Sequence, residues 1–176
     1  MAPARVLWLL RHAKTRRDPP SGGDDHERVL TSRGEDDAGA LGRRLGDPSD
    51  RLGMEVPLPQ LVLCSTAARA TATASLALSG LVDSPVLSQV AALYRATPQV
   101  VVDLLTKLDQ SLQSVMVVGH NPCIERLAAS LPADPPLEVL NGLGTCGLVV
   151  VGFGGPGWRS VGFGRAEALG VVAPPF

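Results

Sequence analysis

Cysteine is scarce and unpatterned in this chain of 176 residues. Cys64, Cys123 and Cys146 are odd in number, widely spaced and form no C-x-x-C pair. That excludes a disulfide-stapled scaffold and favours a reducing compartment. Long apolar runs are missing too. The longest early one, residues 6–10, ends at Arg11, and nothing approaches the roughly 18 residues of a membrane span or the pattern of a secretory leader. A soluble cytoplasmic protein with no membrane partner is the expectation. There is no excess of charge of either sign, with 16 basic against 17 acidic residues and a net charge of −1. A polybasic surface for nucleic acid is therefore not expected. Lysine is nearly absent, 2 against 14 arginines, a skew that accompanies 20 Ala, 19 Gly and 15 Pro and reads as genome composition.

What is present describes a folded domain. Apolar residues make up 45% and charged ones 19% at a mean hydropathy of +0.17, which excludes a disordered chain. The length predicts one domain over 1–176, with a core over about 5–165 and residues 166–176 as a C-terminal strap. A chain of this size buries about 70% of its unfolded surface and needs no metal or disulfide to fold.

Strand-like and helix-like segments alternate, the sign of a mostly parallel α/β sheet. Residues 6–10, 61–64 and 115–118 are continuous apolar runs of the kind a doubly covered strand shows, and Val86-Leu87 is a minor strand. Helices are predicted from Ser32, whose spacing to Glu35 suits a capping box, to Leu45; from Ser65 or Thr66 to Leu78; over Pro98 to Leu108; and from Asn121 as cap, with Pro122 first, to Ser130. Toward the end, 148–153 and 158–163 share the string Val-Gly-Phe-Gly around a Gly-Gly-Pro-Gly turn and predict a C-terminal β-hairpin.

Three predicted strands are each followed at once by reactive polar residues: Arg11-His12, then Ser65 with Arg69, then His120-Asn121. In open α/β sheets ligands bind outside the carboxyl ends of the strands, so parallel strands bring these sets to one edge. Two Arg and two His with no carboxylate among them make an anion site. A neutral His held by its other ring nitrogen can attack phosphorus, and the remaining cations stabilise the equatorial oxygens. Zinc chemistry on the two histidines finds no third ligand at suitable spacing. Cys64-x4-Arg69 is one residue short of the loop of cysteine-dependent phosphatases, and Gly142-x-Gly144-x2-Gly147 lacks the strand–helix context of a dinucleotide site. Lys14, Arg16 and Arg17 extend a basic cluster beside His12, either as a rim for phosphorylated substrate or as a solvated loop. Asp24, Asp25 and Glu27 face the same choice, the bland reading being that they simply pair with those arginines.

Arg11-His12-Ala13-Lys14 resembles the R-H-[GA] signature of the histidine phosphatase superfamily, in the form of its short SixA-type phosphohistidine phosphatases. Asp25-x2-Arg28-x-Leu30-Thr31-x2-Gly34, Ser65-x3-Arg69-Ala70-x2-Thr73 and Val118-Gly119-His120-Asn121-Pro122 are similar to its further motifs. Leu93-Tyr94 and Thr145-Cys146-Gly147 fit weaker positions. The resemblance spans residues 5–151. It implies a three-layer sandwich with a phosphoglycerate mutase-like sheet, His12 as the phosphorylated nucleophile, and Arg11, Arg69 and His120 as its phosphate clamp. Lys14, Ser65 and Asn121 would contact substrate, with no metal and no cofactor. Its expected partner is a phosphorylated protein or a small phosphorylated compound, and phosphate or sulfate would fit the site. The general-acid Glu of larger members has no counterpart, because no Asp or Glu lies between Asp83 and Asp103. That disfavours alkoxide leaving groups and suits the labile P–N bond of phosphohistidine. It also leaves open a phosphate-binding module without turnover.

Overall fold

The apolar runs become the middle of a sheet. The computed structural model describes residues 4–176, and its six strands are β1 Arg5–Arg11, β2 Leu61–Cys64, β3 Val86–Gln89, β4 Ser114–Gly119, β5 Leu148–Phe153 and β6 Ala166–Val172. They lie in the order β3-β2-β4-β1-β5-β6. The first four are parallel, and β5 and β6 are antiparallel to their neighbours. Such continuous Val/Leu runs need cover on both faces, and the helices supply it.

One face carries Val6, Trp8, Leu10, Met116 and Val118 against α1 (Ser32–Gly46) and α2 (Ala68–Leu78). The other carries Leu7, Leu9, Val115 and Val117 against α3 (Pro98–Thr106) and α4 (Cys123–Ser130). A short α5, Leu137–Leu140, follows. The result is the expected three-layer sandwich. Alternation along each strand splits the core in two, because successive side chains point to opposite faces. Small residues let α1 and α2 approach closely: a Cβ at Gly42 would strike the Leu76 carbonyl. Another at Gly34 would strike the carbonyl of Lys14, so the first turn of α1 sits directly on the loop that follows β1.

Several local expectations shift. Thr31 caps α1 by accepting from the Gly34 N–H at 3.1 Å, and the reciprocal capping box belongs instead to Asp24 and Glu27 around the 3-10 turn Asp25–Glu27. Ala67, not Ser65 or Thr66, precedes α2, without a side-chain cap. The helix expected from Asn121 starts at Cys123, because the Asn121 amide is turned away to Glu125 and the Leu143 carbonyl. The second arm of the hairpin is β6, not 158–163: Trp158 begins a 3-10 turn and is fully buried, which pulls that segment off the sheet. Residues 166–172, expected as a surface strap, thereby form the edge strand. Among the described residues no helix is long and apolar enough to cross a membrane.

Candidate active site

Register brings the three motif sets together. Arg11 pairs with Gly119 across β1 and β4, and Cys64 with Val118 across β2 and β4, so all three chains leave the sheet at one edge. Backbone bonds continue past the strand ends: the His12 N–H donates to the Gly119 carbonyl at 3.0 Å, and the Ser65 N–H to that of Val118 at 3.0 Å.

The His12 Nδ1 lies 2.8 Å from the carbonyl oxygen of Ala13. A carbonyl only accepts, so Nδ1 carries the proton and Nε2 presents a lone pair. Burial pulls the His12 pKa down to about 4 against the opposing pull of the Ala13 carbonyl, and Arg69, Arg11 and Arg28 lower it further. The imidazole is therefore neutral at pH 7.

The His120 ring is centred 5.1 Å from that of His12. Its Nε2 lies 2.8 Å from the Oγ of Ser65, which is fully buried and also accepts from the Ala67 N–H at 3.3 Å. The buried Nδ1 of His120 has no partner. Burial, then His12 and Arg69, push the His120 pKa to about 3.

Arg69 is buried on α2. Its two Nη atoms donate to the Asp25 backbone oxygen at 2.6 Å and to the Asp25 carboxylate at 3.0 Å. The same carboxylate accepts from Tyr94 Oη at 2.7 Å and Arg28 Nη1 at 2.9 Å. The Tyr94 and then the Arg28 hydrogen bonds hold it well below the usual carboxylate range. The site thus contains a carboxylate where none was expected, and Asp25 pairs with Arg28 and Arg69, not with Arg16 or Arg17. Asp24 and Glu27 are spent on their capping box. Arg11 donates to the Leu143 carbonyl at 2.6 Å and has a buried, unpartnered Nε. Burial lowers the pKa of its guanidinium, with Glu125 opposing.

The residues expected to touch substrate are placed unevenly. Lys14 is exposed on the loop that follows His12. Ser65 stands behind His120 and orients it. The Asn121 amide nitrogen is committed to Glu125 and Leu143 at 3.0 Å each. His26, which the motif reading passed over between Asp25 and Arg28, joins the group: its Nε2 lies 2.9 Å from Thr66 Oγ1 and its ring packs edge-on against Tyr94, which packs edge-on against His120. Cys64 is fully buried, and burial pushes its thiol up to about 12, which removes it as a nucleophile. Among the described residues no group of three or more His, Cys, Asp or Glu is placed to hold a metal.

Thr73 ties the helix to the loop. Its buried hydroxyl accepts from the Ala13 N–H at 2.9 Å and donates to the Arg69 carbonyl at 2.6 Å. Thr73→Val keeps the shape and strands the Ala13 N–H, which costs about 1–3 kcal/mol. The expected outcome is a thermal midpoint lower by several degrees and, for a reaction that runs through His12, a kcat down about tenfold, since the Ala13 carbonyl holds its ring. Calorimetry and steady-state kinetics check the two effects, and an unchanged kcat would count against the positioning role.

No family model matches the chain. An uncharacterized protein of Mycobacterium tuberculosis is 32% identical over 171 residues, covering 94% of this chain and 99% of its own. Another, from Mycobacterium leprae, is 30% identical over 172 residues with the same coverages. Among solved structures, SixA of Nakamurella multipartitia, named as a candidate phosphohistidine phosphatase, aligns at a TM-score of 0.79 and 28% identity over 99% of both chains. SixA of Agrobacterium tumefaciens, similarly named, aligns at 0.74 and 26%, over 97% of this chain and 99% of its own. A protein histidine phosphatase SixA in complex with tungstate shares the fold at 0.74 and 22% identity, over 96% and 97% of the two chains.

Proposed function

The chain belongs to the histidine phosphatase superfamily, in its short SixA-like branch, and on that footing we propose that it is a metal-independent cytoplasmic phosphatase that removes phosphate from phosphohistidine in a protein. The observation that carries this reading is the pair of neutral imidazoles 5.1 Å apart at the strand ends, one with its Nε2 lone pair free and one with its buried Nδ1 unpartnered.

In the proposed sequence His12 Nε2 attacks phosphorus in line. A bond forms from Nε2 to phosphorus as the bond to the leaving nitrogen breaks, and water then cleaves the phosphoenzyme to inorganic phosphate. Arg11 and Arg69 would clamp the equatorial oxygens, and the unpartnered His120 Nδ1, carrying the ring proton, would complete the shell. Substrate-binding roles remain for Lys14 and, through its effect on His120, for Ser65. The leaving group sets the substrate class. Asp25, the carboxylate on Arg69, is held ionised and has no proton to give an alkoxide. The P–N bond of phosphohistidine asks less of an acid than a P–O bond does.

The test is phosphate release in EDTA from a phosphohistidine-bearing protein and from an aryl phosphate in parallel. The expected outcome is turnover of both with a preference for the P–N substrate. Faster turnover of the aryl phosphate would point to a small-molecule phosphomonoesterase, and phosphate binding without any turnover would point to a binding module.

A further inference from the structure

Beside the clamp the surface opens into a cleft of about 360 Å3 lined by Tyr94, Arg95, Pro98, His120, Cys123 and Arg126. Arg95 and Arg126 are both exposed, and neither guanidinium makes an ion pair or a hydrogen bond among the described residues. The two carboxylates of the site are taken. Asp25 is held by Tyr94, Arg28 and Arg69, and Glu125 by the Asn121 amide and the Leu143 N–H. The Arg95 guanidinium lies 5.6 Å from the centre of the Tyr94 ring, which anchors it at the clamp wall. Past Pro98 and Arg126 the cleft runs on into an apolar hollow formed with Ala129 and the half-exposed Phe163. The whole track follows α4, which rises about 11 Å from Cys123 to Ser130. That is the reach of about three extended residues, and more than a small phosphoester spans.

We infer that this track docks the polypeptide around the phosphorylated residue, and that it selects an acidic segment. The phosphohistidine enters the clamp, Asp or Glu side chains close to it in sequence pair with Arg95 and Arg126, and an apolar side chain beyond them rests on Phe163. This rests on the phosphohistidine reading above and adds the chemistry of the substrate's flanks. Two positive groups without internal partners, continuous with a site that must pass the rest of its substrate outward, are complementary to carboxylates.

Two peptides of equal length, each with one phosphohistidine, test it. One carries Asp and Glu with a Leu beyond them, and the other has Asn and Gln in place of the acids. Wild type is expected to show a kcat/KM about five- to tenfold higher on the acidic peptide, the size two exposed ion pairs supply. The advantage should shrink at high salt and vanish in the R95Q/R126Q variant. Phosphoramidate, a P–N substrate with no polypeptide, should be turned over equally by wild type and variant. Equal rates of wild type on the two peptides would overturn the inference. So would loss of phosphoramidate turnover in the variant, which would put these arginines in the clamp. A matching gain of carboxyphenyl phosphate over phenyl phosphate would do the same, by making a small acid the occupant. Turnover of phosphoramidate by wild type tests the underlying catalytic reading separately.

Discussion

Replacing His12 with alanine is expected to lower phosphate release by at least about a thousandfold and to abolish acid-labile phosphate bound to the protein. The effect is this large because the proposed route has no second way to the intermediate: the covalent bond to phosphorus is made by one nitrogen. The structural loss is small by comparison. The imidazole makes one side-chain hydrogen bond, to the next residue, so the backbone bonds of His12 to Gly119 and Cys146 remain. A thermal midpoint close to wild type together with lost turnover would place the defect in chemistry. Trapping the phosphoenzyme by alkaline quench of a labelled substrate is the direct measurement, and label still bound in the alanine variant would move the nucleophile elsewhere. Mutation of Arg69 would be a poorer test, because it also removes the two hydrogen bonds by which α2 holds Asp25.

The second large effect concerns acid. A free imidazole with a pKa near 6.5 is about nine-tenths protonated at pH 5.5 and would have lost most of its nucleophilicity. With its pKa near 4, His12 stays mostly neutral at that pH. The burst of phosphoenzyme formation should therefore hold between pH 7 and about 5 and fall below about 4. A burst that drops tenfold between pH 7 and 5.5 would contradict the buried, arginine-flanked environment. Stability follows with a definite sign. Between pH 6.5 and about 4 the unfolded chain binds a proton at His12 that the folded chain does not, and His120 extends this toward 3. Stability from these two residues therefore falls as the pH drops through that window, whereas a paired carboxylate such as Asp25 loses its contribution only at still lower pH. A bound phosphate should offset the loss by favouring the protonated imidazoles.

Most of the sheet can be read from the chain because its central strands are covered on both sides and carry uninterrupted Val/Leu runs. Strand β6 escapes that reading: its residues are mostly half-exposed, and Glu167 and Gly170 break the apolar signal. The repeated Val-Gly-Phe-Gly string misleads for a related reason. Val151 and Phe153 are strand-core residues, but Val161 is buried outside any strand and Phe163 stands at the surface. The strand-end residues of the site are legible because parallel register fixes where Arg11, Ser65 and His120 emerge. Asp25, His26 and Tyr94 arrive on a loop and a 3-10 turn, where no periodicity tells which way a side chain faces. Only tertiary packing brings the Asp25 carboxylate onto Arg69, 44 residues away.

The position of Tyr94 gives the molecule a built-in spectroscopic label. It is the only tyrosine in the sequence, and it touches Asp25 and the rings of His26 and His120. The two tryptophans, Trp8 and Trp158, lie one in each of the two cores. A fluorotyrosine-substituted protein would give a single fluorine resonance that senses whether the clamp is filled. Indole fluorescence would follow the integrity of the two layers on either side of the sheet, so occupancy and folding can be followed in one sample.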